Sequence, residues 1–155
     1  YYKPDEKLYQ MLMEASRQYD VSMDFDEFIA HGGKLILFTS WNDMSISPWQ
    51  IIDQYQKLVK KYGPKKTDGF LKFYCMPSAT HCNGIRMDYL EWLDFWCTEG
   101  KYPSETLYGI IDKTGGEMPM ASFPGWVKYK NGDPMKGTSY EVSYEIPEGF
   151  FDKFA

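Results

Sequence analysis

Lys34-Leu35-Ile36-Leu37-Phe38-Thr39, running into Ser40-Trp41-Asn42-Asp43, is the stretch that decides the fold. Its apolar part is too short for an ordinary helix and is continuous rather than alternating. That pattern reads as a strand buried on both faces, as in a parallel sheet. Residues 70–76 (Phe-Leu-Lys-Phe-Tyr-Cys-Met) repeat the same character. Each run is followed by a short loop holding one residue capable of proton chemistry. Asp43 stands in Ser-Trp-Asn-Asp-Met, and His81 in Met-Pro-Ser-Ala-Thr-His-Cys-Asn-Gly.

Between the two runs, Ser47-Pro48-Trp49-Gln50 spells a helix start. Serine is the cap, proline takes the first turn and glutamine closes a capping box. Ile51, Ile52, Tyr55, Leu58, Val59 and Tyr62 then recur on one face until Gly63-Pro64 stops the helix. Residues 65–68 read as a polar link. Beyond His81, residues 87–97 form another helix, with Tyr89, Leu90, Leu93, Trp96 and Cys97 facing inward and Gly100 ending it. Upstream, residues 5–20 predict a helix with Leu8, Met11, Leu12, Ala15 and Tyr19 on one face. Asp24 caps a short helix over residues 25–30, which Gly32-Gly33 ends.

The order is strand, Asp loop, helix, strand, His loop, helix, the signature of an α/β protein with an open parallel sheet and helices on its faces. Ligands of such sheets bind beyond the carboxyl ends of the strands, where both loops fall. Two strands alone leave unpaired edges, so this half-sheet calls for further strands. Residues 106–111 read as one more strand. After them Gly115-Gly116, Pro119, Pro124-Gly125, Gly132-Asp133-Pro134 and Gly137 punctuate the chain. That tail reads as a meandering surface segment with isolated strands at residues 126–130 and 140–146. Residues 1–112 are thus expected to be α/β domain, and 113–155 an aromatic, Gly/Pro-rich tail packed on it.

A length of 155 residues suits one domain. Aromatic content is high at 18%, enough for a core and for a surface buried against another chain or a planar ligand. A net charge of -5, with basic residues clustered only as Lys60-Lys61 and Lys65-Lys66, excludes a nucleic-acid or membrane-surface footprint. No stretch approaches the ~18 apolar residues of a membrane span. The first fifteen residues hold neither an apolar signal core nor a start methionine, so the chain is expected to begin inside something larger. The three cysteines, Cys75, Cys82 and Cys97, allow one internal bridge plus a free thiol, or a bond to a cysteine elsewhere. Spacing and a total of two histidines argue against zinc.

In acyl transfer by a serine nucleophile, histidine takes the hydroxyl proton while a buried carboxylate fixes its tautomer. Asp43 precedes His81 by thirty-eight positions, room for one helix and one strand between neighbouring loops. The plain alternative is that Asp43 caps a turn and His81 makes a local hydrogen bond. Other acids fit less well: Asp53 lies within a helix, Asp68 precedes its strand, and Asp88 follows the histidine. A thiol nucleophile fits poorly too. Cys82 adjoins His81 along the chain, and Cys75 sits in the strand as a small buried hydrophobe. Ser40 and Ser45 lack the G-x-S-x-G strand-to-helix setting of a nucleophile elbow. Trp41, Trp49 and Trp126 suit a ligand wall or plain packing.

The words of the chain are familiar in sum. Gly32-Gly33-Lys34-Leu35-Ile36-Leu37, Trp41-Asn42-Asp43, Ile46-Ser47-Pro48, and Met76-Pro77 ahead of His81-Cys82-Asn83-Gly84 resemble the C-terminal part of the tannase and feruloyl esterase family. So do Asp24-Phe25-Asp26-Glu27-Phe28, residues 97–103, residues 121–124, Tyr129 and Gly132-Asp133-Pro134. The likeness covers nearly the whole chain, in the family's order. It implies the C-terminal portion of an α/β-hydrolase fold in a secreted or periplasmic serine esterase of aromatic acids. Asp43 is then the triad acid, His81 the general base, and Trp41 a lining residue of the substrate site. The resemblance also implies a disulfide from Cys82 to a cysteine just before the nucleophilic serine. Serine elbow and lid, the latter often holding calcium, are expected before Tyr1, in the N-terminal portion of the same enzyme or in a separate processed chain. No cofactor is expected in this chain. One departure is Thr39-Ser40, where the family usually has His-Gly. A structural or binding module packed on a partner chain is the competing class.

Overall fold

Two parallel strands, β1 (Leu35–Ser40) and β2 (Leu71–Met76), pair in the computed structural model, which describes residues 5–19, 22–77, 80–81, 84–102, 106–145 and 148. The register runs from Leu35 opposite Leu71 to Ser40 opposite Met76, so both strands end level. Trp41 N–H extends the ladder to the Met76 carbonyl at 3.2 Å. The two following loops therefore leave from the same rim of the sheet.

Parallel strands need a long crossover, supplied here by α3 (Pro48–Tyr62) and α4 (Pro64–Phe70). Ser47 does occupy the N-cap of α3, though without a side-chain hydrogen bond, and Pro48 opens the helix. Gly63 at φ 80 turns the chain, and the expected polar link is in fact α4. Proline, with its fixed φ, suits a first helical turn. Pro64 starts α4 on that account, while α3 ends at Gly63, before a proline that has no N–H to continue the helix. Two more helices precede the sheet. α1 (Glu6–Tyr19) and α2 (Asp26–Ala30) lie where the sequence puts helices, but the N-cap of α2 is Phe25 rather than Asp24, whose Oδ1 accepts the Asp26 N–H at 3.1 Å from one residue further out. Leu8, Ala15, Met11 (61%) and Leu12 (57%) of the α1 stripe are exposed.

β2 is the centre of the core. Its odd positions Leu71, Phe73 and Cys75 pack with Ile52 and Leu58 of α3, while Tyr74 meets Leu107 and Met120 on the opposite face. This two-sided burial is what the unbroken apolar run encodes. Each fully buried large side chain contributes about 1.5–3 kcal/mol.

The last helix, α5 (Tyr89–Glu99), ends at Gly100 in the left-handed region, φ 69. Its buried face differs from expectation: Trp96 is buried and Leu93 half-buried, but Tyr89, Leu90 and Cys97 are exposed. Trp92 and Phe95 take their place as half-buried residues. The helix is apolar nearly all round, so its periodicity selects no single face.

The tail also departs from expectation. β3 (Ile85–Arg86), β4 (Thr106–Ile111) and β5 (Glu117–Ala121) form an antiparallel sheet, and β6 (Trp126–Tyr129) pairs with β7 (Tyr140–Ser143) instead of standing alone. β5, expected as surface meander, carries buried Met118, Met120 and Ala121. Pro119 concealed it, because proline cannot donate to a ladder. Here it sits on the sheet's edge strand, where no donation is needed. Past β5, Phe123 N–H reaches the Phe73 carbonyl at 2.7 Å, and Ser122 bridges to Tyr74. The segment thus closes the outer edge of β2.

Candidate active site: an aspartate clasped between a turn and an imidazole

Ser40, 2% exposed, ends β1 and anchors the loop that follows. Its carbonyl accepts the Asp43 N–H at 3.2 Å, and its Oγ accepts the Asn42 N–H at 3.2 Å. Buried Pro48 holds the other end, at the head of α3. Between these anchors the chain turns back on the Asp43 side chain. Oδ1 accepts the N–H of Ser45 at 2.8 Å and of Ile46 at 2.9 Å.

His81, in the loop after β2, completes the arrangement. Its Nδ1 lies 3.0 Å from Asp43 Oδ2 and 3.2 Å from Oδ1. A carboxylate only accepts, so this contact puts the ring proton on Nδ1 and leaves Nε2 as the basic nitrogen. The Asp43 side chain is 11% exposed and that of His81 43%. The Ile46 amide foremost, then His81 and the Ser45 amide, hold the Asp43 carboxyl below the usual carboxylate range. The charge orienting the imidazole is therefore present at neutral pH.

The structure brings together Asp43 and His81 and sets the other acids elsewhere. Asp53 pairs with Lys57 along α3 at 2.6 Å, Asp68 pairs with Lys72, and Asp88 is the residue preceding α5. Trp41 packs on the cluster of Ile52, Phe73 and Cys75, its ring 5.6 Å from that of Trp49. Cys82 lies outside the described residues. Cys75 is buried, its thiol pushed up to about 12 by burial, so it is protonated and inert at neutral pH. Cys97 is exposed on α5. For the calcium that the resemblance places in a lid, no group of three His, Cys, Asp or Glu converges among the described residues. Nor is any helix among them long and apolar enough to cross a membrane.

Sequence reasoning offered a turn role for Asp43 as the plain alternative but did not name the Ser45 and Ile46 amides, which the structure places on Oδ1 beside the imidazole contact. The signal is present in the sequence. An aspartate two residues before a serine, in a loop leading to a Ser-Pro helix start, favours a side-chain-closed turn.

The comparisons agree on a family. The family described as tannase and feruloyl esterase matches residues 2–143. An uncharacterised esterase of Agrobacterium fabrum is 31% identical over 129 residues, covering 77% of this chain and 23% of that protein. The mono(2-hydroxyethyl) terephthalate hydrolase of Piscinibacter sakaiensis is 27% identical over 121 residues, 70% of this chain and 19% of its own length. Among solved structures, feruloyl esterase B from Aspergillus oryzae superposes with a TM-score of 0.68 at 18% identity, covering 79% of this chain and 29% of that one. Tannin acyl hydrolase from Aspergillus niger gives 0.63 at 22% identity, with coverages of 79% and 24%. The chain thus spans less than a third of the length of these relatives, and its fold is part of an α/β domain of the α/β-hydrolase type. By the match over nearly its whole length, the chain belongs to the tannase and feruloyl esterase family.

Proposed function

We propose that this chain is the acid-and-base portion of a serine carboxylic ester hydrolase acting on esters of aromatic acids. Asp43 and His81 are its catalytic pair, and the nucleophilic serine and the lid come from polypeptide upstream. The single observation carrying this reading is the 3.0 Å approach of His81 Nδ1 to Asp43 Oδ2 at the carboxyl rim of a parallel sheet. Family membership and the two esterase relatives support it. In this reading residues 1–112 and 113–155 serve one catalytic domain, Trp41 lines the substrate site, and the protein works outside the cytoplasm.

The chemistry follows from the tautomer. His81 Nε2 takes the serine hydroxyl proton as the oxygen attacks the ester carbonyl, and the resulting imidazolium keeps its proton on Nδ1, donating it in a hydrogen bond to the Asp43 carboxylate. The imidazolium then protonates the leaving alcohol. The ring, now neutral imidazole, accepts at Nε2 a proton from the water that attacks the acyl-enzyme, and returns that proton to the serine oxygen as the acyl group leaves. Exposed Met44 (99%), Leu90 (69%) and Met11 (61%) suit burial against the upstream polypeptide. A disulfide from Cys82 to that polypeptide would tie nucleophile and base loops together.

The test is ester hydrolysis by the complete natural polypeptide on methyl ferulate and methyl gallate. Asp43→Asn is expected to lower kcat by about 10⁴-fold, and His81→Ala by at least as much. Unchanged turnover in both variants would remove the catalytic assignment. Intact mass with and without reductant reads the Cys82 bridge.

A further inference from the structure

Asp43 divides its two oxygens between two tasks. Oδ1 accepts the Ser45 and Ile46 amides at 2.8 and 2.9 Å, while Oδ2 makes the shorter approach to the imidazole, 3.0 Å against 3.2 Å for Oδ1. Two donors on one oxygen fix the plane of a carboxylate that would otherwise rotate about its last torsion, which for Asp is broad. The side chains of Ser45 and Ile46 are exposed, so the loop is shaped by its backbone rather than by packing at these positions.

We infer that the main-chain N–H groups of Ser45 and Ile46 are positioning groups of the reaction, acting through Asp43 to aim His81 Nδ1–H and thereby Nε2. This role rests on the esterase reading given above. Among the described residues the ionisable group facing Asp43 is His81; the other contacts to its carboxylate are these amides. A merely structural turn would hold the loop without affecting turnover. A positioning clasp acts on turnover itself, because a small misplacement of a catalytic group costs about 10²-fold in rate.

The experiment removes one N–H and keeps every side chain. In the complete polypeptide, Ile46 is replaced by its α-hydroxy analogue, which converts the amide between Ser45 and Ile46 into an ester. The result expected is a kcat lower by about 10²-fold with KM unchanged, and a ¹³Cγ titration midpoint of Asp43 higher than in the parent protein. A second measurement needs no substitution at the turn. In ¹⁵N-labelled parent protein, the Ser45 and Ile46 amide signals are expected to titrate together with Asp43 and to move upfield in Asp43→Asn. If the ester analogue keeps both kcat and midpoint while His81→Ala is inactive, the clasp is overturned alone. If His81→Ala remains active, the esterase reading falls and takes this role with it.

Discussion

Asp43 illustrates how two readings of one residue coexist. As a turn residue it accepts the Ser45 and Ile46 amides, and as a partner of His81 it faces the imidazole. The Ile46 amide foremost, with the imidazole and the Ser45 amide, lowers its carboxyl further below the ordinary range. Because its folded value lies below the ordinary carboxylate one, its contribution to stability is complete above about pH 4 and is lost as pH falls through the lowered value. Asp43→Asn removes that contribution, so urea titrations at pH 7 and pH 3 should show a smaller acid loss in the variant than in the parent. Identical acid losses would contradict this account of the carboxylate. Cys75 has the opposite sign. Its thiol is raised from 9.0 to about 12, so its contribution is full below pH 9 and is lost as pH rises toward 12. At pH 8 an alkylating agent should label Cys97 in the native protein and Cys75 only after unfolding. Native labelling of Cys75, read by peptide mass, would show its burial to be wrong.

Helix ends and turns make the element scale legible. Gly100 closes α5 in the left-handed region, φ 69, and a Cβ there would meet nothing within 4 Å. Gly100→Ala therefore isolates backbone strain, expected at about 1–2 kcal/mol of lost stability. Gly69 lies within α4, and its added Cβ also meets nothing within 4 Å. Gly69→Ala should stabilise by up to about 1 kcal/mol, through helix propensity and a less free unfolded chain. Paired denaturation curves test the opposite signs; two shifts in the same direction would refute the assignment. Elements written in strong local chemistry, α1, β1, α3, β2 and β4, stood where the sequence put them. α4 and β5 did not. In each a proline stood for an interruption, though its position, first turn or edge strand, made it compatible with the element.

Across the whole molecule, Phe73 is the joint between the parallel sheet and the chain's last third. It is 2% exposed, its ring 5.2 Å from that of Tyr55 on α3 and 5.3 Å from that of Phe123, and its carbonyl accepts the Phe123 N–H. Phe73→Ala should cost about 3–5 kcal/mol and loosen the 122–125 segment together with the sheet. Urea unfolding gives the loss, and amide exchange at Phe123 reports the segment. A cost under ~1 kcal/mol would mean that these layers do not share a core. The exposed stripe of α1 and the exposed Leu90 lie outside this core.

By itself the sequence determined the parallel pair of strands, the crossover helix and the two loops holding Asp43 and His81. Uninterrupted apolar runs, helix periodicity and Gly/Pro punctuation are local signals, and each is strong here. The sequence also singled out Asp43 among the acids by its place after a strand, but only tertiary structure brings it to the imidazole, since that depends on two strands ending level across a register no local pattern specifies. Tertiary structure also decided which face of α5 is buried and that 117–123 closes the sheet's edge. Long-range pairing and three-dimensional packing set those outcomes, because a helix apolar around most of its circumference and a proline-bearing strand carry little local preference to read.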